Sequence, residues 1–340
     1  MDRRYLLARH VGATVLLIAA IGACGGSGGM PAGAFPRPEP GVFRMGSSGW
    51  LGYGPWNVAQ ERGTFRREGV RVALRTFVTD RERDSALAAG RLDAANVATH
   101  TALDLIGRRV PLEAVLLLDE SREADAILGG PRVRSVEELR GRRVAFEPGT
   151  TSEILLRHAL GAAGLSFRDI RPVRIAAARA GNALATGRVD AAVTYEPYVA
   201  ATFQRNPRLR LIYSAGADPG LISDVLVVRR AVIRRRPGQV AALVRAWDDA
   251  VGFYKTRTAR AQAIITRALG ARPGALDTAF AGVKLYSVDD DLRALSPQGG
   301  YLMGTLPDIK TAAVGAGLVD ADVGTAGLFT MRFLRPREMR

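Results

Sequence analysis

The 340-residue sequence is poor in cysteine and histidine. It contains one cysteine, Cys24, and three histidines. A single cysteine excludes an intramolecular disulfide and leaves no thiol cluster for a structural zinc site. No two histidines stand at the spacing of metal ligands, and no cysteine or serine is accompanied by a base in a recognisable catalytic pattern. The sequence therefore predicts neither a metal nor a cofactor, and no enzyme.

Lysine is also scarce, although the chain is strongly basic. The net charge is +15, and arginine supplies almost all of the 48 cations. Acidic residues interrupt the arginines, as in DRERDS at 80–85 and RSVEELRGRR at 134–143. A nucleic-acid interface would concentrate basic residues in a stripe with aromatic residues between them. We therefore expect no nucleic-acid partner, and at most a weak attraction to anionic surfaces.

Long apolar runs are absent after residue 41, and the one apolar run before it is short. Three arginines within the first nine residues precede the apolar residues 11–20, as in an export signal that is too short to span a membrane. Cys24 follows Ile21-Gly22-Ala23, which resembles a bacterial lipobox. We predict a lipoprotein signal peptide at 1–23, lipidation of Cys24 and a Gly/Pro-rich tether at 24–41. An ordinary signal peptide with an incidental cysteine is the alternative.

A ten-residue motif occurs twice. ALAAGRLDAA at 86–95 returns as ALATGRVDAA at 183–192, 183 − 86 = 97 residues later. Each copy lies in the same order of strand, small-residue loop, helix, strand, helix and strand, which predicts parallel α/β sheets. In each copy a glycine is expected to end the helix, and an aspartate to begin the next strand. The spacing is too long for a solenoid repeat and favours a duplicated lobe.

The segments between and after the repeats complete a two-lobed α/β protein. Residues 124–128 are expected to carry the chain to the second lobe, and 223–228 to bring it back. We predict lobe I at 42–128 and 225–330, lobe II at 129–224, a basic tail at 331–340, and a two-stranded hinge that lets the lobes close on a ligand. Helices are expected at 237–256, 259–270 and 307–318.

Polar and aromatic residues follow the predicted strands where ligands bind in open α/β sheets. The candidate ligand-binding residues are Ser48, Trp50, Tyr53, Thr99, His100, Thr150, Thr151, Ser152, Tyr195, Glu196 and Asp224. Several have a structural alternative. The two aromatic residues near Gly52 could pack in the core, the hydroxyl residues at 150–152 could only cap a helix, and Asp224 could bond hinge backbone.

The expected ends of the strands carry acids where a simple anion site would need arginine or lysine. Glu147, Glu196 and Asp224 are the acids concerned. We therefore expect a small ligand with a cationic or hydrogen-bond-donating end and an acceptor end, such as an amino-sulfonate or an amine-bearing heterocycle.

The order of these motifs resembles the solute-binding proteins of ABC importers, in the nitrate/taurine/aliphatic-sulfonate group (SsuA/THI5-like). The resemblance covers about 42–330 and rests on GWLGYGP at 49–55, the repeat, ELRGRRVAFEPGTTS at 138–152, YEP at 195–197 and SDVLVV at 223–228. It implies a type II periplasmic-binding fold with two Rossmann-like lobes, no catalysis, and delivery of the ligand to a permease and its ATPase. Tyr195 and Gly54 depart from residues common in that group, which bears on the ligand.

Two other functions stay open. The same fold carries enzymes that resemble pyrimidine-precursor synthases or chorismate-type dehydratases, and it serves in sensory ligand-binding proteins. The export signal argues against cytosolic biosynthesis. We expect a monomer on the outer face of a membrane or in the periplasm, held there by the lipid anchor only.

Overall fold

The computed structural model describes residues 36–335, so the predicted signal peptide and Cys24 lie outside the described residues. The strands are β1 (Val42–Ser48), β2 (Arg71–Phe77), β3 (Ala94–Ala98), β4 (Leu112–Ser121), β5 (Asp125–Gly129), β6 (Arg143–Phe146), β7 (Arg171–Arg174), β8 (Ala191–Tyr195), β9 (Arg210–Ser214), β10 (Ser223–Arg229) and β11 (Val283–Leu285). The helices are α1 (Gly54–Glu61), α2 (Thr64–Arg67), α3 (Asp80–Ala88), α4 (Thr99–Gly107), α5 (Thr151–Ala162), α6 (Ala177–Ala185), α7 (Tyr198–Arg205), α8 (Arg230–Arg235), α9 (Pro237–Thr256), α10 (Thr258–Ala268), α11 (Val288–Ala294) and α12 (Leu306–Gly315).

The strands form two sheets with the same internal order. The first sheet runs β11-β4-β10-β3-β1-β2, and the second runs β7-β6-β8-β5-β9. In each, the first strand of the repeated unit pairs in parallel with its two neighbours: β1 with β2 and β3, and β6 with β7 and β8. The duplication seen in the motif is therefore a duplication of the sheet.

The crossing strands are the main difference from the predicted parallel sheets. β10 is antiparallel to β3 and β4, and β5 is antiparallel to β8 and β9. Each crossing strand enters its sheet from the other lobe, so it runs against its neighbours. The alternation of strands and helices could not reveal this, because these two strands have no helix of their own before them.

The lobe boundaries also differ from those predicted. β5 belongs entirely to the second sheet, so the first crossing lies between Ser121 and Asp125 rather than at 128. The return crossing lies next to it, because Ser121 N donates to Ile222 O at 3.0 Å. Two short adjacent segments thus connect the lobes.

The described parts of the predicted tether (24–41) and of the predicted basic tail (331–340) pack against the folded lobe. Glu39, inside the predicted tether, accepts hydrogen bonds from Gly238 N and Gln239 N at the start of α9. Phe333 and Leu334, inside the predicted tail, are 2 % exposed. Apolar burial outweighs the basic composition of the tail here, so lobe I extends to at least Leu334.

Three apolar clusters form the core. The largest surrounds the first sheet and includes the tilted contact of Trp56 with Trp247, whose ring centroids are 4.8 Å apart. Two smaller clusters cover the second sheet, one including Leu156 of α5 and the other Leu184 of α6. Within 36–335, the helices are all too short or too polar to cross a membrane.

Candidate ligand site between the lobes

The repeated motif holds strands together and does not reach the cleft. The Asp93 carboxylate accepts from the backbone and the guanidinium of Arg44, and Asp190 does the same with Arg143. The glycine of each motif follows the end of its helix with a φ of 74°, in the left-handed region that favours glycine. The carbonyl of Gly90 accepts from Arg44, and the carbonyl of Gly187 accepts from Arg143. The repetition is thus explained by strand anchoring.

A cavity opens between the lobes at the carboxyl ends of the strands. Its volume is about 30 Å³, which is room for two or three waters, so the lobes lie close together. Aromatic side chains meet across it: the rings of Trp50 and Tyr195 lie edge to face at 5.8 Å, and Tyr195 meets Tyr198 at 5.2 Å. These contacts join a loop of lobe I to β8 and α7 of lobe II. The cavity is lined by Ser48, Trp50, Tyr53, Asp80, Ala98, Asp125, Thr151, Tyr195, Ile222 and Asp224.

Six of the eleven residues predicted from the sequence line this cavity: Ser48, Trp50, Tyr53, Thr151, Tyr195 and Asp224. Trp50 is both a cavity wall and a buried residue, with 5 % of its surface exposed. Its indole Nε1 donates to Asp119 Oδ1 at 3.0 Å. The choice between cleft and core therefore does not apply to Trp50, because the residue lines the cavity and belongs to the apolar core of the first sheet.

Hydroxyl residues predicted for the site instead hold their own loops. Thr150 caps α5 by accepting from Ser152 N at 3.2 Å, and Ser152 Oγ accepts from Glu147 N at 3.1 Å. Thr99 Oγ1 donates to Ser223 O and lies 3.0 Å from the hydroxyl of Tyr301. The capping interpretation is right for Thr150, and these three side chains are not cavity walls.

Two of the predicted acids cap helices. Glu147 Oε2 accepts from Ala177 N at the start of α6, and Glu196 Oε2 accepts from Ala200 N in the first turn of α7. Burial raises the pKa of Glu196 to about 7. Neither carboxylate lines the cavity; the acids that do are Asp80, Asp125 and Asp224.

His100 is buried beside the loop before α5. Burial lowers the pKa of its imidazole to about 4, although a hydrogen bond to the backbone of Gly149 acts in the opposite direction. His100 is therefore neutral at pH 7 and links α4 of lobe I to lobe II. His100, a candidate ligand-binding residue from the sequence, does not line the cavity.

Four charged residues at the cleft are not among those predicted from the sequence. Asp80 and Asp125 line the cavity, and Asp119 is bonded to the Trp50 indole. Arg83, which is 1 % exposed, is paired with Asp80. An acid at the start of the apolar run DAILG is an available signal for Asp125. Asp80 is the first residue of α3, whose N-cap is Thr79.

Burial makes the carboxyl groups of the cleft weak acids. It raises the pKa of Asp125 to about 7 and that of Asp119 to about 8, and it raises the pKa of Asp224 well above its usual range. Asp119 and Asp224 face each other in register on β4 and β10, and the charge of Asp119 adds to burial in raising the pKa of Asp224. The two carboxyl groups therefore hold at least one proton between them at neutral pH when the cleft has no ligand.

Fold and cleft together define a class of protein: two α/β lobes of like topology, joined by two crossings, with a small aromatic and acidic cavity between them. The family model NMT1/THI5 like matches residues 52–260. The chain belongs to this family, and the predicted periplasmic-binding fold is confirmed.

Several similar proteins and solved structures are named as binding proteins. The taurine-binding periplasmic protein of Escherichia coli K12 is 26 % identical over 201 residues, which cover 59 % of this chain and 63 % of that protein. A protein of Brucella abortus named as a binding protein is 22 % identical over 200 residues, covering 58 % of this chain. The present chain spans 61 % of the length of that relative.

Among solved structures, the alkanesulfonate-binding protein SsuA of Xanthomonas axonopodis pv. citri, bound to MOPS, is similar with a TM-score of 0.70. It is 20 % identical, and the match covers 86 % of this chain and 99 % of that one. The desulfurization enzyme DSZB is also similar, with a TM-score of 0.63, 16 % identity and coverage of 87 % and 98 %. One fold thus serves both binding and catalysis.

Proposed function

We propose that this protein is the extracytoplasmic solute-binding component of an ABC importer. It captures a small polar ligand between its lobes and presents the closed, loaded form to a membrane permease with its ATPase. The observation that carries the proposal is the cavity at the facing carboxyl ends of the strands, lined by both lobes and crossed by the Trp50–Tyr195 contact. Ligands of the class considered are sulfonates, taurine, nitrate or amine-bearing heterocycles.

Attachment to the membrane belongs to the same proposal. The lipobox-like segment before Cys24 supports lipidation of that residue, and 24–35 would then separate the lipid from the folded lobes. Such a protein acts as a monomer on the outer face of a membrane or in the periplasm. Labelling with a palmitate analogue tests this, since Cys24→Ala should abolish incorporation.

The likeness to a desulfurization enzyme favours one competing function, an enzyme on the same fold. Equilibrium dialysis of the full-length chain against taurine, alkanesulfonates, nitrate, polyamines, amidines and pyrimidines, with mass spectrometry of both chambers, separates the two. A binding protein retains a compound and releases it chemically unchanged on denaturation. Conversion of a retained compound would establish an enzyme, and retention of none would contradict the proposal.

A further inference from the structure

We infer that the cavity takes an organic cation, an ammonium or amidinium group held by Asp125 and Asp224 between the rings of Trp50, Tyr53 and Tyr195. This inference rests on the proposed binding function and specifies its ligand. It differs from the anions named for the sulfonate-binding relatives. The juxtaposition that carries it is a pair of buried carboxyl groups, each without a cationic partner among the described residues, in one aromatic-walled cavity.

Asp125 and Asp224 enclose the cavity from opposite lobes. They are 6 % and 5 % exposed, and neither forms an ion pair with any arginine or lysine among residues 36–335. A buried carboxylate without a cation is costly, so such groups are ordinarily paired. A cationic ligand would supply the missing partner to both lobes at once.

Arg83, the cation that the structure places beside Asp80 of the cavity wall, is already neutralised. Arg83 Nη1 lies 2.7 Å from Asp80 Oδ1, and Nη2 lies 2.9 Å from Asp84 Oδ1. Asp80 and Asp84 thus already place two carboxylates against one guanidinium. Asp119, Asp125 and Asp224 add three more acids. An anionic ligand would meet this surplus of acids without a free donor cation among the described cavity residues.

The aromatic walls favour the same class of ligand. Trp50, Tyr53 and Tyr195 present ring surfaces to the cavity, and such surfaces attract organic cations by about 0.5–2 kcal/mol each. A metal ion is not the better candidate, because among residues 36–335 no three carboxylate or imidazole side chains converge as metal ligands. The positive net charge of the molecule acts weakly here, since salt screens charges beyond about 8–10 Å.

Two probe series test the inference on the full-length chain. Acetamidinium and acetamide, like benzamidinium and benzamide, have planar heads of nearly equal size, so within each pair the charge is the main difference. Methanesulfonate and benzenesulfonate carry an anionic, tetrahedral head on the same methyl group or phenyl ring. Affinities are measured by ligand-detected NMR at equal ionic strength. We expect an amidinium to bind roughly tenfold or more tightly than its amide, and the sulfonates not to bind.

Asp125→Asn is the matching variant, since it keeps the shape and removes the charge. It should weaken amidinium binding roughly tenfold or more and change amide binding less than about threefold, while the exposed Asp320→Asn changes neither. Because the amidinium–amide comparison uses the unaltered chain, it stands even if the variant fails to fold.

Each outcome decides between the two proposals. If the sulfonates bind and the amidinium probes do not, the proposal of a cationic ligand is wrong and the proposed binding function stands. If a bound amidinium is chemically converted, the proposal of a cationic ligand stands and the proposed binding function is wrong. If no probe of either series binds, the proposal of a cationic ligand is wrong, and equilibrium dialysis against the wider panel still tests the binding function.

Discussion

At the scale of single residues, the cleft contains buried carboxyl groups whose pKa the folded protein raises. Asp125 lies at the start of β5, where burial raises the pKa of its carboxyl to about 7. An unperturbed aspartate in the unfolded chain has a pKa of about 3.9. Folding therefore binds a proton between these values, and the stability of the unliganded protein falls as the pH rises from about 4 to 7.

Asp125→Asn should consequently stabilise the unliganded protein at pH 8. The variant removes a buried carboxylate that is ionised there, and we expect its melting temperature to exceed that of the parent by at least about 2 °C. The gain should shrink at pH 5, where the carboxyl group in the folded protein is protonated. Differential scanning calorimetry at both pH values measures this. A variant less stable than the parent at pH 8 would contradict the assignment of a costly charge to Asp125.

Gly52 permits the close approach of Trp50 and Asp119. A Cβ at position 52 would overlap the indole nitrogen of Trp50 and the carboxyl group of Asp119. Gly52→Ala should therefore break the 3.0 Å hydrogen bond between them and destabilise the protein by about 1–3 kcal/mol. Thermal unfolding gives the loss, and Gly304→Ala, which meets no atom within 4 Å, is the control. Equal melting temperatures for the two variants would refute this explanation of Gly52.

At the scale of elements, the two copies of the motif perform one task in different surroundings. The Asp93 side chain is 4 % exposed and pairs with Arg44 at 3.0 Å and Arg236 at 2.5 Å. The Asp190 side chain is 21 % exposed and pairs with Arg143 alone. Burial by itself would raise the pKa of Asp93, but hydrogen bonds from Arg44 and Arg236 outweigh it and lower the pKa.

Asp93→Asn should therefore destabilise the protein more than Asp190→Asn does. The first change leaves two guanidinium groups without a buried counter-charge, whereas the second affects one exposed pair. We expect Asp93→Asn to lower the melting temperature by about 3 °C or more at pH 7, and Asp190→Asn by less. Each variant thus serves as the control for the other in scanning calorimetry. Similar losses would mean that burial does not distinguish the copies.

Sequence patterns predicted the elements better than the surroundings of their side chains. The predicted helix at 237–256 coincides with α9, because Pro237 marks its first turn and apolar residues recur at helical spacing. The antiparallel direction of β5 and β10 was missed, since direction depends on which lobe the chain comes from. Asp125 was missed for the same reason: its role exists only where Asp224 of the other sheet meets it.

At the scale of the whole molecule, ligand binding and lobe closure are one equilibrium. Gly49 of lobe I lies against Tyr198 of lobe II, and a Cβ at position 49 would lie 2.9 Å from the tyrosine hydroxyl. A methyl group at position 49 would therefore have to displace the end of the Tyr198 side chain when the lobes are this close. Any ligand that binds only between closed lobes loses affinity when closure becomes less favourable, whatever its charge.

Gly49→Ala should accordingly weaken every probe that binds by one common factor, about three- to tenfold. This differs from Asp125→Asn, which is expected to affect the amidinium probes alone. Tyr198→Phe removes the hydroxyl that the new methyl group would meet, so the double variant should recover most of the lost affinity. NMR titrations of the parent, both single variants and the double variant measure these factors. If Gly49→Ala weakened amidinium but not amide binding, or if Tyr198→Phe gave no recovery, the loss would come from the site itself and not from closure of the lobes.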